Sequence, residues 1–86
     1  MNYTVIWGRI AETHLAAVWL VAPDQAAVTA AAHRIEVRLA TNPLRCGEAR
    51  ESSIHRVDFE YPLGAEFEVI EDDKKVIVQG IWLVRR

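Results

Sequence analysis

The chain has little that could brace it covalently or break its regular structure: one cysteine, three prolines and four glycines in 86 residues. A single thiol, Cys46, cannot close an intramolecular disulfide or furnish a multi-cysteine zinc site. No apolar run approaches the roughly 20 residues of a membrane span. The opening Met1-Asn2-Tyr3-Thr4 carries no basic start of a secretory signal, so a soluble, cytoplasmic protein is expected. An excess of positive charge is also missing. Ten Lys plus Arg stand against twelve Asp plus Glu, a net charge of −2, which argues against direct nucleic-acid binding. The sequence has no Gly-rich phosphate loop, no nucleophile elbow, no paired histidines at metal spacing and no Cys-x-x-Cys. No cofactor and no metal are therefore expected.

What is present suffices for a core. Half of the residues, 51%, are apolar and 26% are charged, a balance that disfavours disorder. Eighty-six residues make one domain, residues 1-86, and a chain of this size buries about 60–65% of its unfolded surface. The charges are unevenly spread. Residues 57–73 hold seven acids (Asp58, Glu60, Glu66, Glu68, Glu71, Asp72, Asp73) and neither Lys nor Arg. Lys74, Lys75, Arg85 and Arg86 follow. Such segregation reads as a solvated strand face or as an acidic surface that meets or repels a charged partner.

Tyr3-Thr4-Val5-Ile6-Trp7 is a β-branched and aromatic run closed by Gly8, and it predicts a strand. From Arg9 the period becomes helical, with Ile10, Leu15, Val18, Trp19 and Ala22 as the apolar stripe. Pro23-Asp24 stops this helix and starts a second, which runs to about Ala40. Val28, Ala31, Ala32, Ile35 and Leu39 form its buried stripe, and Arg34 and Arg38 lie one turn apart on another face. Thr41 to Ser53 loses periodicity, a long connection for so small a domain. Beyond it, period two takes over. Val57, Phe59 and Tyr61 alternate with Arg56, Asp58 and Glu60, and Ala65, Phe67 and Val69 alternate with Glu66 and Glu68. Pro62-Leu63-Gly64 and Glu71-Asp72-Asp73-Lys74 predict turns, and Val76–Val84 suits a central strand. The expected fold is α+β, in the order β-α-α-β-β-β, with a helical hairpin packed on one face of a four-stranded, mainly antiparallel sheet. The other face is expected to carry glutamates beside Ile77, Ile81 and Leu83, a mixture that suits a partner-covered surface.

Few residues suggest chemistry. His14 and His33 fall on the helices and read as boundary residues, and Cys46 has no histidine or second thiol in a catalytic pattern. His55 and Arg56 head a strand after the long loop and could approach a phosphate. Trp7 and Trp19 sit on apolar stripes and are expected in the core, whereas Trp82 is a candidate contact residue. Arg50, Arg56, Arg85 and Arg86 could gather at one end of the sheet and bind phosphate or a carboxylate-rich partner, with scattered solubilising charge as the plainer reading.

The element order, together with Asn42-Pro43, Gly47, Arg50 and the run Phe67-Glu68-Val69-Ile70-Glu71-Asp72-Asp73-Lys74-Lys75-Val76, resembles the RelE/ParE superfamily of bacterial toxins over nearly the whole chain. The resemblance implies the toxin of a type II toxin–antitoxin module, of the kind called plasmid stabilisation proteins, neutralised by a cognate antitoxin. It implies the ribosome as target in the branch that cleaves messenger RNA, and DNA gyrase as target in the ParE branch. In the ribonuclease branch, cations on the second strand, an Arg opening the third strand and a basic or aromatic group near the C-terminus do the chemistry. Here His55 and Arg56 match the first of these roughly, Gly64-Ala65-Glu66 replaces the Arg, and Ile81-Trp82-Leu83-Val84 precedes Arg85. Glutamates stand where RNA would approach, and each repels phosphate. The leading expectation is therefore a toxin-like protein, or an attenuated or orphan member, that acts by binding protein and not as an enzyme. Partner-binding candidates are Arg50, Arg56, Trp82, Arg85 and Arg86. The enzyme alternative is a divergent ribonuclease using His55, Arg56 and Arg85. A third alternative is a non-toxic interaction domain whose glutamate-rich meander binds a basic partner.

Overall fold

Strand β1, Thr4–Trp7, takes an edge position because its four residues pair on one side only, parallel to β5, Lys75–Leu83, from Thr4 opposite Lys75 to Trp7 opposite Val78. This is a computed structural model, and it describes residues 2–46, 48–49 and 55–84. Gly8 turns the chain out of β1. Its N–H donates to Val78 O at 2.9 Å, and a Cβ there would lie 3.1 Å from that same oxygen, so glycine suits the close approach.

Helix α1, Arg9–Val21, follows at once, and α2, Gln25–Thr41, returns antiparallel to it after Pro23. Asp24 caps α2 by accepting from Ala27 N–H at 3.0 Å, an interaction that stabilises a helix start by about 1 kcal/mol. Asn42-Pro43 ends α2, and a single 3-10 turn, Pro43–Arg45, follows. Strands β2, Glu48–Ala49, β3, His55–Glu60, and β4, Leu63–Ile70, complete a sheet of order β1-β5-β4-β3-β2. Every pairing except β1 with β5 is antiparallel. The expected helical hairpin on a mainly antiparallel α+β sheet is the fold observed, and the two-residue β2 extends its four principal strands at the β3 edge.

The core lies between the hairpin and one face of the sheet. Phe67, Leu63, Val69, Val76 and Val78 are fully enclosed there, each such side chain contributing about 1.5–3 kcal/mol through removal from water. From α2, Val28, Ala31, Ile35 and Leu39 meet them, in agreement with the stripe read from its 3.6-residue period. The hairpin covers a second need as well. Beyond Val78 strand β5 has no β1 to pair with, and α1 lies along it instead, Ile81 N–H pointing at His14 Nδ1 at 3.4 Å.

Two expectations about faces, in α1 and β5, are corrected, and the inward row of β3 is decided. In α1 only Ala11 is buried, with Leu15, Val18 and Ala22 partly buried beside the core, while Ile10 is 64% exposed. The stripe thus runs 11, 15, 18, 22, and Ile10 falls a full 100° off Ala11. In β3 the polar row, not the apolar one, faces the helices: Asp58 and Glu60 lie under Arg34 and Arg38, and Phe59 is 55% exposed on the opposite face. In β5, Gly80 opposes Glu66 but Val78 opposes Phe67, so Gln79 is an extra residue. Such a bulge inverts the alternation beyond it. Ile81 consequently enters the core with Val76 and Val78, Leu83 lies opposite the buried Leu63, and Trp82 moves to the open face.

Candidate functional site

Two surfaces carry side chains that the core does not use. The first is the sheet face opposite the helices. The register places His55, Val57 and Phe59 of β3 beside Glu68, Glu66 and Gly64 of β4, and Gly64 in turn beside Trp82 of β5. At one end, Trp82 lies across Gly64 so closely that a Cβ there would sit 2.4 Å from the indole. Glycine is thus demanded by an aromatic ring that covers it. Phe59 meets the same indole edge-on, with ring centroids 6.2 Å apart. Toward the other end, Glu68 accepts from Gln79 Nε2 at 3.0 Å and stands 3.7 Å from His55 Nε2.

His55 and Arg56 do not converge. As consecutive strand residues they point to opposite faces. Arg56 Nε donates to Cys46 O at 2.9 Å, tying β3 to the end of the 3-10 turn. Arg50, Arg85 and Arg86 lie outside the described residues. Cys46 is buried, and its thiol points to Asn42 O at 3.1 Å. Burial pushes that thiol up against the opposing pull of Arg38, which favours the protonated form.

The acidic block is less of a patch than the linear sequence suggests. Arg34 Nε donates to Glu60 Oε1, and Arg38 Nη1 to Glu60 Oε2, both at 2.9 Å, while Arg38 Nη2 stands 3.0 Å from Asp58. The Arg34 hydrogen bond first, and then Arg38, holds the Glu60 carboxyl below its ordinary range despite partial burial. Glu71 is bound by Lys74 and by Tyr3 Oη, the latter at 2.7 Å, at a turn where Lys74 takes a left-handed φ of 51°. Glu66, Asp72 and Asp73 remain as exposed carboxylates.

The second surface is a groove of about 670 Å³ between α1 and α2. Leu15, Ala16, Trp19 and Leu20 form one wall, Val28 and Ala32 much of the other. Glu12 and Glu36 stand at one end beside Trp7, and Trp7 Nε1 donates to Glu36 at 2.9 Å. Trp19 Nε1 donates to Thr29 Oγ1 at 3.2 Å across the other end. Trp7 is partly buried against the core as expected, but Trp19 is 40% exposed, a correction to its placement in the core. The sequence did hold a signal for this surface. Trp19 and Leu20 extend the apolar character of α1 around more of the helix than one core-facing stripe can bury.

No protein-family model matches the sequence, and no curated protein does. Solved structures do. A chain of the RelBE2 toxin–antitoxin complex of Mycobacterium tuberculosis superposes with a TM-score of 0.77 at 16% identity, over 96% of this chain and 99% of that one. A chain of the chromosomal ParDE toxin–antitoxin system of P. aeruginosa gives a TM-score of 0.73 at 22% identity, over 98% of each chain. The fold is of the RelE/ParE toxin type, and at these identities the likeness is one of fold.

Proposed function

We propose that this chain is the toxin component of a toxin–antitoxin pair and that it acts by binding protein, with DNA gyrase as the leading target class and a cognate antitoxin as its partner. The shared fold over the full chain supports the pair. The mode of action rests on one observation, the carboxylates Glu66 and Glu68 at the middle of the open sheet face. Metal-free RNA cleavage needs a base, an acid and cations on the phosphorane. Two carboxylates there oppose the approach of phosphate.

Induction in a bacterium tests this reading, with growth, plasmid supercoiling and message integrity followed together. Arrest with altered supercoiling and intact messages, relieved by co-expressing the product of a neighbouring reading frame, is the expected result. Unimpaired growth at confirmed expression would sink the toxin reading. A second reading, a divergent ribonuclease, is favoured by His55 standing 3.7 Å from Glu68 on the open sheet face, an imidazole beside a carboxylate. It requires cut messages on induction, and their loss in His55→Ala.

A further inference from the structure

We propose that the open sheet face grips its protein target through one arginine of that target, the guanidinium on Glu66 and a neighbouring apolar side chain on the Trp82–Phe59 pair. The two glycines of this face are used differently. Gly64 is roofed by the Trp82 indole, whereas a Cβ at Gly80 would meet nothing closer than His14 Nδ1 at 3.8 Å and Glu66 Cβ and Oε1 at 4.0 Å. Gly80 stands opposite Glu66 and two residues before Trp82. It is therefore the floor of a shallow recess, with a carboxylate on one side, an imidazole on another and Trp82 at its end. His14 reaches it from α1, which lies along the part of β5 beyond the pairing with β1, and its Nδ1 is turned toward Ile81 N–H at 3.4 Å.

Charge selects the occupant. Of the two carboxylates at the middle of the face, Glu68 accepts from Gln79 and stands beside His55. Glu66 is exposed and has no hydrogen-bond or ion-pair partner among the described residues. An anion without a counter-charge, next to a Trp82 ring that is 37% exposed and a Phe59 ring more exposed still, is complementary to a planar cation. Arginine meets both demands, since its fork matches a carboxylate and its flat face stacks on an aromatic ring, whereas lysine offers only a point charge. An extended segment repeats its side chains on one side every 6.8 Å or so, about the distance along β4 from Glu66 to Gly64. An arginine on Glu66 thus sets the residue two places away over the indole that covers Gly64. Arginine against tryptophan is also the pairing that carries much of the energy at protein interfaces. A single-stranded nucleic acid could stack on the same rings, but it would bring phosphate to Glu66. The inference deepens the protein-binding reading and rests on it for the identity of the partner as the target.

The test uses the full chain, isotope-labelled for NMR, and two capped peptides: Gly-Ser-Arg-Ser-Leu-Gly and the same peptide with citrulline, the uncharged isostere, in place of arginine. The arginine peptide is expected to shift the Trp82 indole N–H and the Gly80 amide saturably. It should bind about fivefold more tightly than the citrulline peptide at low salt, with the preference fading as salt is added. Glu66→Gln is expected to erase that preference and Glu68→Gln to leave it standing. Gly80→Ala, whose methyl would meet only ordinary contacts, is expected to weaken the arginine peptide about threefold without loss of thermal stability. Equal binding of the two peptides, an equal loss in Glu68→Gln, or stronger shifts of the same signals by a short oligouridylate would overturn the proposal. So would a dimer of the chain that Glu66→Gln dissolves. In the cell, Glu66→Gln should relieve the arrest at equal expression, and undiminished arrest would overturn the assignment of this site to the target. Arginine-selective binding by a chain that leaves growth untouched would uphold the site and remove the toxin reading instead.

Discussion

The two helices of the hairpin are opposites in how they use their apolar residues. Helix α2 is alanine-rich and carries Arg34, Glu36 and Arg38, yet it sends Val28, Ala31, Ile35 and Leu39 into the core. Helix α1 is the more apolar of the two and buries only Ala11 completely. Hydrophobicity in a helix is therefore a poor measure of its share of the core. What decides is whether the apolar residues share one stripe. Those of α2 do, at a period that keeps them under one face. Those of α1 spread around the helix, so that Trp19 and Leu20 line the groove while Ile10 and Val21 are exposed.

The largest effect should come from α2. Leu39→Ala is expected to cost about 2–5 kcal/mol in urea unfolding, through lost burial and a cavity. A loss under 1 kcal/mol would contradict its place in a close-packed core. Next comes the open sheet face. Gly64→Ala puts a methyl where the Trp82 ring lies and should cost about 1–3 kcal/mol, with a changed tryptophan fluorescence spectrum. An unchanged spectrum would mean that the indole does not cover the glycine.

The link from α2 to β3 is smaller, because both arginines are partly in water. Glu60→Gln is expected to cost about 1 kcal/mol near pH 7 after solvent screening. Its signature is in the pH dependence. The folded carboxyl holds its proton less tightly than the unfolded one, so its contribution is complete above the ordinary glutamate pKa of about 4.3 and is lost as pH falls through the lower folded value. The variant should therefore converge with the parent in acid, and a constant offset down to pH 2 would refute the assignment. The smallest effect belongs to α1. Leu20→Ala should change stability by no more than about 0.5 kcal/mol, and a loss comparable to that of Leu39→Ala would place α1 in the core after all.

Most of the elements were legible in the sequence because local patterns specify them. Asp24 after Pro23 marks the start of α2, and the period-two runs around Phe59 and Phe67 mark β3 and β4. The candidate site was legible only in part. His55 could be singled out from its position, but Glu68, which stands beside it, lies 13 residues away in the sequence and nears it only through strand register. Arg56 was paired with His55 by adjacency, and adjacency in a strand is what separates them.

By itself the sequence determined the helical hairpin, the meander, the buried stripe of α2 and the absence of Lys and Arg from residues 57–73. All of these follow from nearest-neighbour chemistry and from the periods of helix and strand. The tertiary structure decided which row of each strand turns inward. In β3 an acidic row faces the helices because Arg34 and Arg38 stand above it. In β5 one extra residue at Gln79 exchanges Ile81 for Trp82 on the open face. It also decided that this run of seven acids does not mean an unbroken acidic patch, since the charges of Asp58, Glu60 and Glu71 are met by residues that only folding brings near or aligns. The physical reason is common to these cases. A period of two names two faces without ranking them, and only the element packed against the sheet makes one of them the inside.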